Sequence, residues 1–348
     1  MLERSPQSFV SSDPSWHYLD GKSVLVTGGS GSFGRQFVRT LLETANPRRL
    51  VVFSRDEMKQ SEMQSDLLPR DKHGVLRFFI GDVRDQSRLE LALRGIDIVV
   101  HAAALKQVPT AEYNPFECIH TNVLGAEYVV QSALRCGVKR VIALSTDKAA
   151  SPINLYGASK LASDKIFIAA NNLSGADGGR FSVVRYGNVM GSRGSVIPLF
   201  QRLVREGAKS LPITDPRMTR FWITLPLAVD FVASCIETMV GGEIFVPKIP
   251  SMKVVDLASA IAPGVPQEIV GIRPGEKLHE VMITEDDARN TIELPGHYLI
   301  QPSFGGWKRP EALAAAEPVA ENFRYASNNN SSWLDVETLR DLIGQIAA

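Results

Sequence analysis

Residues 23–35 read SVLVTGGSGSFGR. A short apolar run, Val24 to Val26, closes in glycines, and Phe33, Phe37, Val38 and Leu41 then follow at helical spacing. The order strand, glycine turn, helix is how a parallel α/β sheet opens. Gly28, Gly31 and Gly34 form G-x-x-G-x-x-G. That pattern permits a tight turn and lets backbone N–H groups approach a pyrophosphate, with the helix dipole behind them. Glycine-rich turns are common, so an ordinary βα turn reads the same way. The position between strand and helix is what points to a dinucleotide.

Working outward, RLVVFSR (49–55), LRFFIGDV (76–83), IDIVVHAAA (96–104), RVIALST (140–146) and RFSVVRYGNVMG (180–191) read as further strands. They are apolar nearly throughout rather than alternating, as in a parallel sheet covered on both faces. Long helices are expected over 116–137 and 154–171. The fold class is therefore α/β: a Rossmann-type doubly wound parallel sheet, with a smaller C-terminal substrate-binding lobe. Beyond residue 191 the rhythm breaks into short strands and helices. The expected division is an N-terminal extension (1–20), an NADP-binding Rossmann domain (21–191) and a mainly substrate-binding lobe (192–348), some of whose segments return to the sheet. A terminal helix is expected after residue 333, with Asp335 as its N-cap.

The composition narrows the function. Lys+Arg and Asp+Glu are both 38 in 348 residues, so no global basic field favours nucleic acid. Any anionic substrate must be met by local arginines. Cys118, Cys136 and Cys235 are scattered, which speaks against a disulfide framework or a zinc site and for a reducing compartment. No metal site is expected. The polar N-terminus lacks a signal-peptide core, and no apolar run is long enough to span a membrane. The expected location is the cytoplasm.

The second strand should end on the residue that reads the adenosine ribose. Its tip is Phe53-Ser54-Arg55-Asp56-Glu57-Met58-Lys59. Arg55 and Lys59 suit a 2′-phosphate, so NADP is expected over NAD; the alternative has Asp56 binding a free ribose hydroxyl. Asp82 and Val83, after the third strand, suit an adenine contact or simply a turn.

ALSTDKAASPINLYGASK (143–160) carries the chemistry. Tyr156 and Lys160 are one helical turn apart and share a face. A nearby ammonium lowers a phenol's pKa, so the phenolate can take a hydroxyl proton as hydride leaves for the cofactor. Thr146 can hydrogen-bond the same hydroxyl. Asp147 and Lys148 are superfluous for a plain dehydrogenase. Oxidation of an alcohol acidifies the neighbouring C–H, however, so an acid at the next hydroxyl and a base at that carbon would complete loss of water. Lys148 would act in its neutral form, favoured by the nearby positive charges of Lys160 and oxidised nicotinamide. The competing reading pairs Asp147 with Lys148 on a polar loop.

These residues, with FSRDEMKQ, GDVRD, HAAALKQVPTAEYNPFE, VRYGNVMGSRGSVIP, MTRFWIT, GGEIFVPKIPSMK and GIRPGEKLHEVM, resemble the extended short-chain dehydrogenase/reductase superfamily. Within it they resemble the inverting UDP-N-acetylglucosamine 4,6-dehydratases that begin pseudaminic acid synthesis. The resemblance implies Lys148 as base, Asp147 as acid, and Tyr156 and Lys160 as the redox pair. It implies NADP contacts from Ser32, Phe33, Gly34 and Arg35, from Ser54 to Lys59, and from Asp82, Val83, Ala102, Leu144 and Ser145. Lys106 would lie near cofactor and substrate. Asn188, Arg220, Arg273 and Glu276 would belong to the UDP-sugar pocket. It further implies inversion at C5 and a homo-oligomer, dimer-based or a larger ring. A UDP-sugar 4-epimerase, a retaining dehydratase and a catalytically silent NADP-binding module are the alternatives. His101, His120 and His279 are read as structural.

Overall fold

The apolar runs form the strands expected of them; the fifth fills its run, and most of the others are shorter than theirs. In the computed structural model, which describes residues 16–175, 178–192, 194–303 and 310–347, the first six strands are β1 (Ser23–Thr27), β2 (Arg49–Ser54), β3 (Leu76–Ile80), β4 (Ile98–His101), β5 (Arg140–Thr146) and β6 (Arg180–Tyr186). They lie parallel in the order β3-β2-β1-β4-β5-β6. The sheet is doubly wound, and its order reverses between β1 and β4, where such sheets open a ligand crevice.

Alternate residues of each strand serve opposite faces. Leu25, Val51, Val99 and Val141 meet α3 (Gln86–Leu93), α6 (Gly125–Arg135) and α7 (Leu155–Ser174). Val24, Val52, Val100 and Ile142 meet α1 (Ser32–Thr44), α2 (Glu57–Leu67) and α9 (Leu225–Thr238) on the other face. Both faces are dry, which explains why the runs are apolar without alternation. The expected 116–137 helix is α5 (Pro115–Ile119), a wide π turn (His120–Leu124), and α6. A short α4 (Val108–Tyr113) precedes it. In the wide turn Asn122 is buried and holds the Leu105 backbone at both N–H and C=O, 2.8 and 2.9 Å. That fixes the loop after β4.

The second half divides between lobe and sheet. β7 (Asn188–Val189), β9 (Thr219–Ile223) and β11 (Ser251–Lys253) form a small sheet, and β8 (Leu211–Ile213) pairs with β12 (Gln267–Ile269). β13 (Val281–Ile283) pairs with β17 (Tyr325–Ala326). α8 (Val196–Arg205), α10 (Val254–Ile261) and α12 (Val336–Ala347) enclose the lobe's own apolar cluster, and Asp335 accepts from Thr338 N–H at 2.8 Å at the start of α12. β10 (Ile244–Pro247) returns to the main sheet parallel to β6. β14 (Thr291–Leu294), after the short α11 (Glu285–Ala288), β15 (His297–Ile300) and β16 (Glu317–Pro318) extend that sheet antiparallel, to ten strands.

Of the expected N-terminal extension, residues 1–15 lie outside the described residues. In the turn Trp16–Leu19, Trp16 and Leu19 are buried: Trp16 packs at a tilt on Phe37 with centroids 5.3 Å apart and donates to Asp230 Oδ1 at 3.1 Å. Among the described residues, no helix is long and apolar enough to cross a membrane, and no cluster of His, Cys, Asp or Glu could hold a metal ion. All three cysteines are free.

Candidate active site

The strands end early because their runs spill over the carboxyl edge of the sheet, and those overruns build the site. Gly28–Gly31, Arg55, Gly81–Val83, Ala102–Ala104 and Gly187–Val189 all leave the sheet there. Together with α1, α7 and the turn after β5 they line one cleft of about 570 Å³. Gly28 takes φ +63°, and a Cβ there would fall 2.8 Å from the Ala103 backbone. A Cβ on Gly34 would fall 2.5 Å from the Gly29 backbone, so α1 packs directly on the turn. Gly31 caps α1 by backbone alone, with no side-chain hydrogen bond to its first turn. A bare glycine cradle at a helix N-terminus is suited to a pyrophosphate, and the residues present fit a dinucleotide.

At the adenosine end, Ser54 is buried against Ser30 (2.7 Å) and Gln60. Asp56 is committed locally: it caps α2 at Lys59 N–H (3.0 Å) and pairs with Lys59 Nζ. Arg55 is half exposed, with Asp82 3.7 Å away. Asp82 is itself held by Arg84 at 2.8 Å; burial raises its pKa, but these partners bring it below the usual carboxylate range.

At the other end, Thr146 ends β5 and starts a tight turn over Asp147–Ala149. Thr146 Oγ1 donates to Asp147 Oδ1 at 2.9 Å, and Lys148 Nζ donates to the same oxygen at 3.1 Å. Asp147 is 1% exposed, and its Oδ2 is buried without a hydrogen-bond partner. Burial chiefly, with the charge of Glu280, raises the Asp147 pKa against the pull of Lys148. Tyr156 and Lys160 descend from the first turns of α7, which Asn154 caps at Gly157 N–H (2.7 Å). Behind Lys160, Asp164 bonds Ser145 Oγ (2.7 Å) and pairs with buried Arg185 (3.6 Å).

In the chain alone, two side chains have pKa values shifted opposite to those expected beside an oxidised nicotinamide. At Tyr156 burial outweighs the Lys148 ammonium and the Thr146 hydrogen bond, and the phenol is pushed up to about 12. At Lys148, burial lowers the ammonium's pKa, but Asp147 and Glu280 together carry it above the ordinary lysine value. Without ligand Lys148 is a paired cation. Its partners are Asp147, which the sequence pairs with it, and Glu280, which sequence reasoning passed over.

Most expected residues meet in the cleft: Gly28, Gly31, Ser32, Phe33 and Gly34; Ser54, Arg55, Asp56 and Lys59; Asp82, Val83, Ala102, Lys106, Leu144 and Ser145; and Thr146, Asp147, Lys148, Tyr156, Lys160 and Asn188. Lys106 has its pKa lowered by desolvation. Six others are not in the lining. Arg35 turns to Glu62 and Asp66, while Glu57 and Met58 belong to the first turn of α2, Met58 71% exposed. Arg220 is buried, its guanidinium donating to the carbonyls of Thr219, Lys277 and Leu278. Arg273 faces Glu276 at 3.8 Å. Sequence reasoning also missed Ser30, Gly187, Ser192 and Leu225 in the lining. Ser30 was signalled by the glycine turn; the others depend on how the second half folds back.

A sequence profile described as "Polysaccharide biosynthesis protein" matches residues 24–302. A Campylobacter jejuni protein named UDP-N-acetylglucosamine 4,6-dehydratase (inverting) is 52% identical over 93% of this chain and 98% of its own. A Rickettsia prowazekii protein named UDP-glucose 4-epimerase is 43% identical over 92% and 95%. Among solved structures, Pen from Bacillus thuringiensis superposes with TM-score 0.86 at 34% identity, covering 95% of this chain and 99% of that one. DesIV, a dTDP-glucose 4,6-dehydratase from Streptomyces venezuelae solved with NAD, gives 0.65 at 28%, covering 74% and 86%.

Proposed function

The chain belongs to the polysaccharide biosynthesis protein family, and from that premise we propose that it is an inverting UDP-N-acetylglucosamine 4,6-dehydratase. It is a hydro-lyase with no net redox change: oxidation at C4, loss of water across C5 and C6, and return of hydride to C6. The product is the 4-keto-6-deoxy sugar inverted at C5, the form that pseudaminic acid synthesis begins from. The observation that carries this reading is the Thr146-Asp147-Lys148 turn, its threonine and aspartate buried and its lysine partly exposed, set in the same cleft as Tyr156 and Lys160.

A bound nicotinamide dinucleotide would supply a reversible hydride acceptor. The glycine turn would hold its pyrophosphate, and Arg55 and Lys59 favour the 2′-phosphate of NADP because Asp56 is already engaged. Tyr156 takes the proton of the sugar's 4-hydroxyl, and Thr146 orients that hydroxyl. Its raised pKa means the phenol needs positive charge in the cleft before it can ionise. Lys148 is the cation that lowers it in the chain alone, and Lys160, one helical turn on, lines the same cleft. Asp147 protonates the departing 6-hydroxyl through its unpartnered Oδ2, and its raised pKa suits an acid. Lys148 receives the proton from C5. Arg220, Arg273, Glu276, Asn188 and Lys106 are assigned to the UDP-sugar side. The enzyme works in the cytoplasm as a homo-oligomer.

Incubation with UDP-N-acetylglucosamine is expected to give a nucleotide sugar lighter by one water. The family also contains proteins named as 4-epimerases, which use a redox pair without elimination; a C4 epimer at unchanged mass would establish that reading instead.

A further inference from the structure

Glu280 closes the segment GIRPGEKLHE (271–280) and leads into β13. Its Oε1 lies 3.0 Å from Lys148 Nζ, on a side chain 2% exposed. Lys148 is thus held between two carboxylates, one from its own turn and one from the second half of the chain. The Glu280 backbone is fixed in both directions through Ser327, which accepts its N–H at 3.0 Å and donates to its C=O at 2.8 Å. Ser327 is itself bonded to Thr219 at 2.7 Å. Arg220 Nε stands 3.8 Å from the same Oε1, and Oε2 is buried without a hydrogen-bond partner. So rigid a mount aims the carboxylate at the lysine.

The elimination makes two demands on this cluster. Lys148 must be neutral to receive the C5 proton, and an ammonium afterwards. Asp147 must carry a proton to release the 6-hydroxyl, so it cannot also be the counter-ion that holds Lys148 in place. We propose that Glu280 is a positioning residue for the dehydration: it anchors Lys148 over the cleft and is the standing counter-ion of the ammonium that Lys148 becomes, which leaves Asp147 free to hold the acidic proton.

The step balances. Before it, Lys148 is an amine, Asp147 a carboxylic acid and Glu280 a carboxylate. The C5–H bond breaks and its proton joins the Lys148 nitrogen. The C–H electron pair becomes the C5–C6 double bond, and the C6–O pair leaves with the oxygen, which takes the Asp147 proton and departs as water. Lys148 is then an ammonium with a carboxylate on either side, 3.1 Å from Asp147 Oδ1 and 3.0 Å from Glu280 Oε1. One proton passing from Lys148 to Asp147 across 3.1 Å resets the pair.

The charged and titratable groups facing Lys148 are Asp147 on its own turn, Glu280 and Lys277 before β13, Arg220 on β9 and Tyr156 on α7. Removing the charge of Glu280 leaves the two cations in place and takes away one of two anions. The neutral amine should then appear at lower pH.

The inference rests on the dehydratase reading, and the test separates the two. In Glu280→Gln, the limb of the pH profile for water loss that reports Lys148 should move down by about one pH unit or more, as for removal of an opposite charge within a few ångströms. An amine-reactive label on Lys148, followed by mass spectrometry across pH, should show the same downward shift without substrate. Glu280→Asp should restore part of the wild-type midpoint. If Glu280→Gln does not fold by circular dichroism, Glu280→Asp must itself show a smaller shift of the same sign. A folded variant with wild-type midpoints in both assays overturns the proposal. If the wild-type protein does not dehydrate UDP-N-acetylglucosamine, the functional reading falls first, and the role in elimination with it.

Discussion

Arg185→Met tests the buried charge system behind Tyr156 and Lys160. Arg185 lies near the end of β6 with its side chain 3% exposed, and Asp164 on α7 is 1% exposed. They are 3.6 Å apart. Arg185 also donates to the Met282 carbonyl at 2.9 Å and faces Asp287 at 3.4 Å. At an effective dielectric of about 20, two charges at that separation attract by about 5 kcal/mol. Their desolvation is of similar size, so the intact pair adds little net stability. Removing one partner is different, because it strands the other in the core at about 3–5 kcal/mol. Asp164 is poorly placed to bear this: its Oδ1 already lacks a hydrogen-bond partner, and burial raises its pKa. Arg185→Met should therefore cost about 3–5 kcal/mol in urea unfolding. Adding Asp164→Asn should recover part of that loss, since the stranded carboxylate is then gone while Lys160 loses the charge beside it. A single variant within about 1 kcal/mol of wild type, or a double variant no more stable than the single, would refute the reasoning.

Gly28→Ala places a Cβ against the Ala103 backbone at positive φ. It should destabilise the fold by about 1–3 kcal/mol and weaken dinucleotide binding at least about tenfold by fluorescence titration; wild-type affinity would contradict the cradle. Arg55→Ala with Lys59→Ala should weaken NADP about tenfold more than NAD, since each removes a charged contact to a 2′-phosphate; equal losses for the two would point to a free ribose. His101 is fully buried, bonded to Thr27 at 2.8 Å, and its pKa is lowered to about 3 by desolvation and then by Lys160. The unfolded chain takes up this proton near pH 6.5 and the folded one does not, so stability should fall by about 1.4 kcal/mol per unit as pH drops from about 6 to 4. Denaturant midpoints for His101→Gln should fall less steeply; parallel slopes would show that His101 is not the cause.

The sheet was legible because both of its faces are covered: runs such as LVVF in β2 can only be central strands of a covered sheet. The end of the fourth run was not legible, because Ala102–Ala104 keep the apolar character of the strand they follow while lining the cleft. The Thr146–Lys148 turn and the Tyr156–Lys160 pair could be read because they are local, set by one strand end and one helix. Glu280 could not, since it reaches Lys148 only through the fold of the second half, and GEKLHEVM by itself is an ordinary charged segment. The ionisation of Tyr156 and Lys148 in the chain alone was not legible either, for the same reason. Spacing shows which charge is near in sequence, whereas burial and a remote carboxylate decide the balance. His101 is a further case: its lack of a role in sequence agrees with a neutral ring packed on Phe167 under the sheet.

The claim at the centre is that one cleft carries out oxidation and dehydration on a single sugar. UDP-N-acetylglucosamine deuterated at C4 follows both through one atom. Turnover should give a product lighter by one water with the deuterium at C6, solvent hydrogen at C5 and no reduced nicotinamide accumulating. Lys148→Ala should bind the sugar and fail to lose water. Deuterium retained at C4 of an epimer, or released in free reduced cofactor, would contradict the claim.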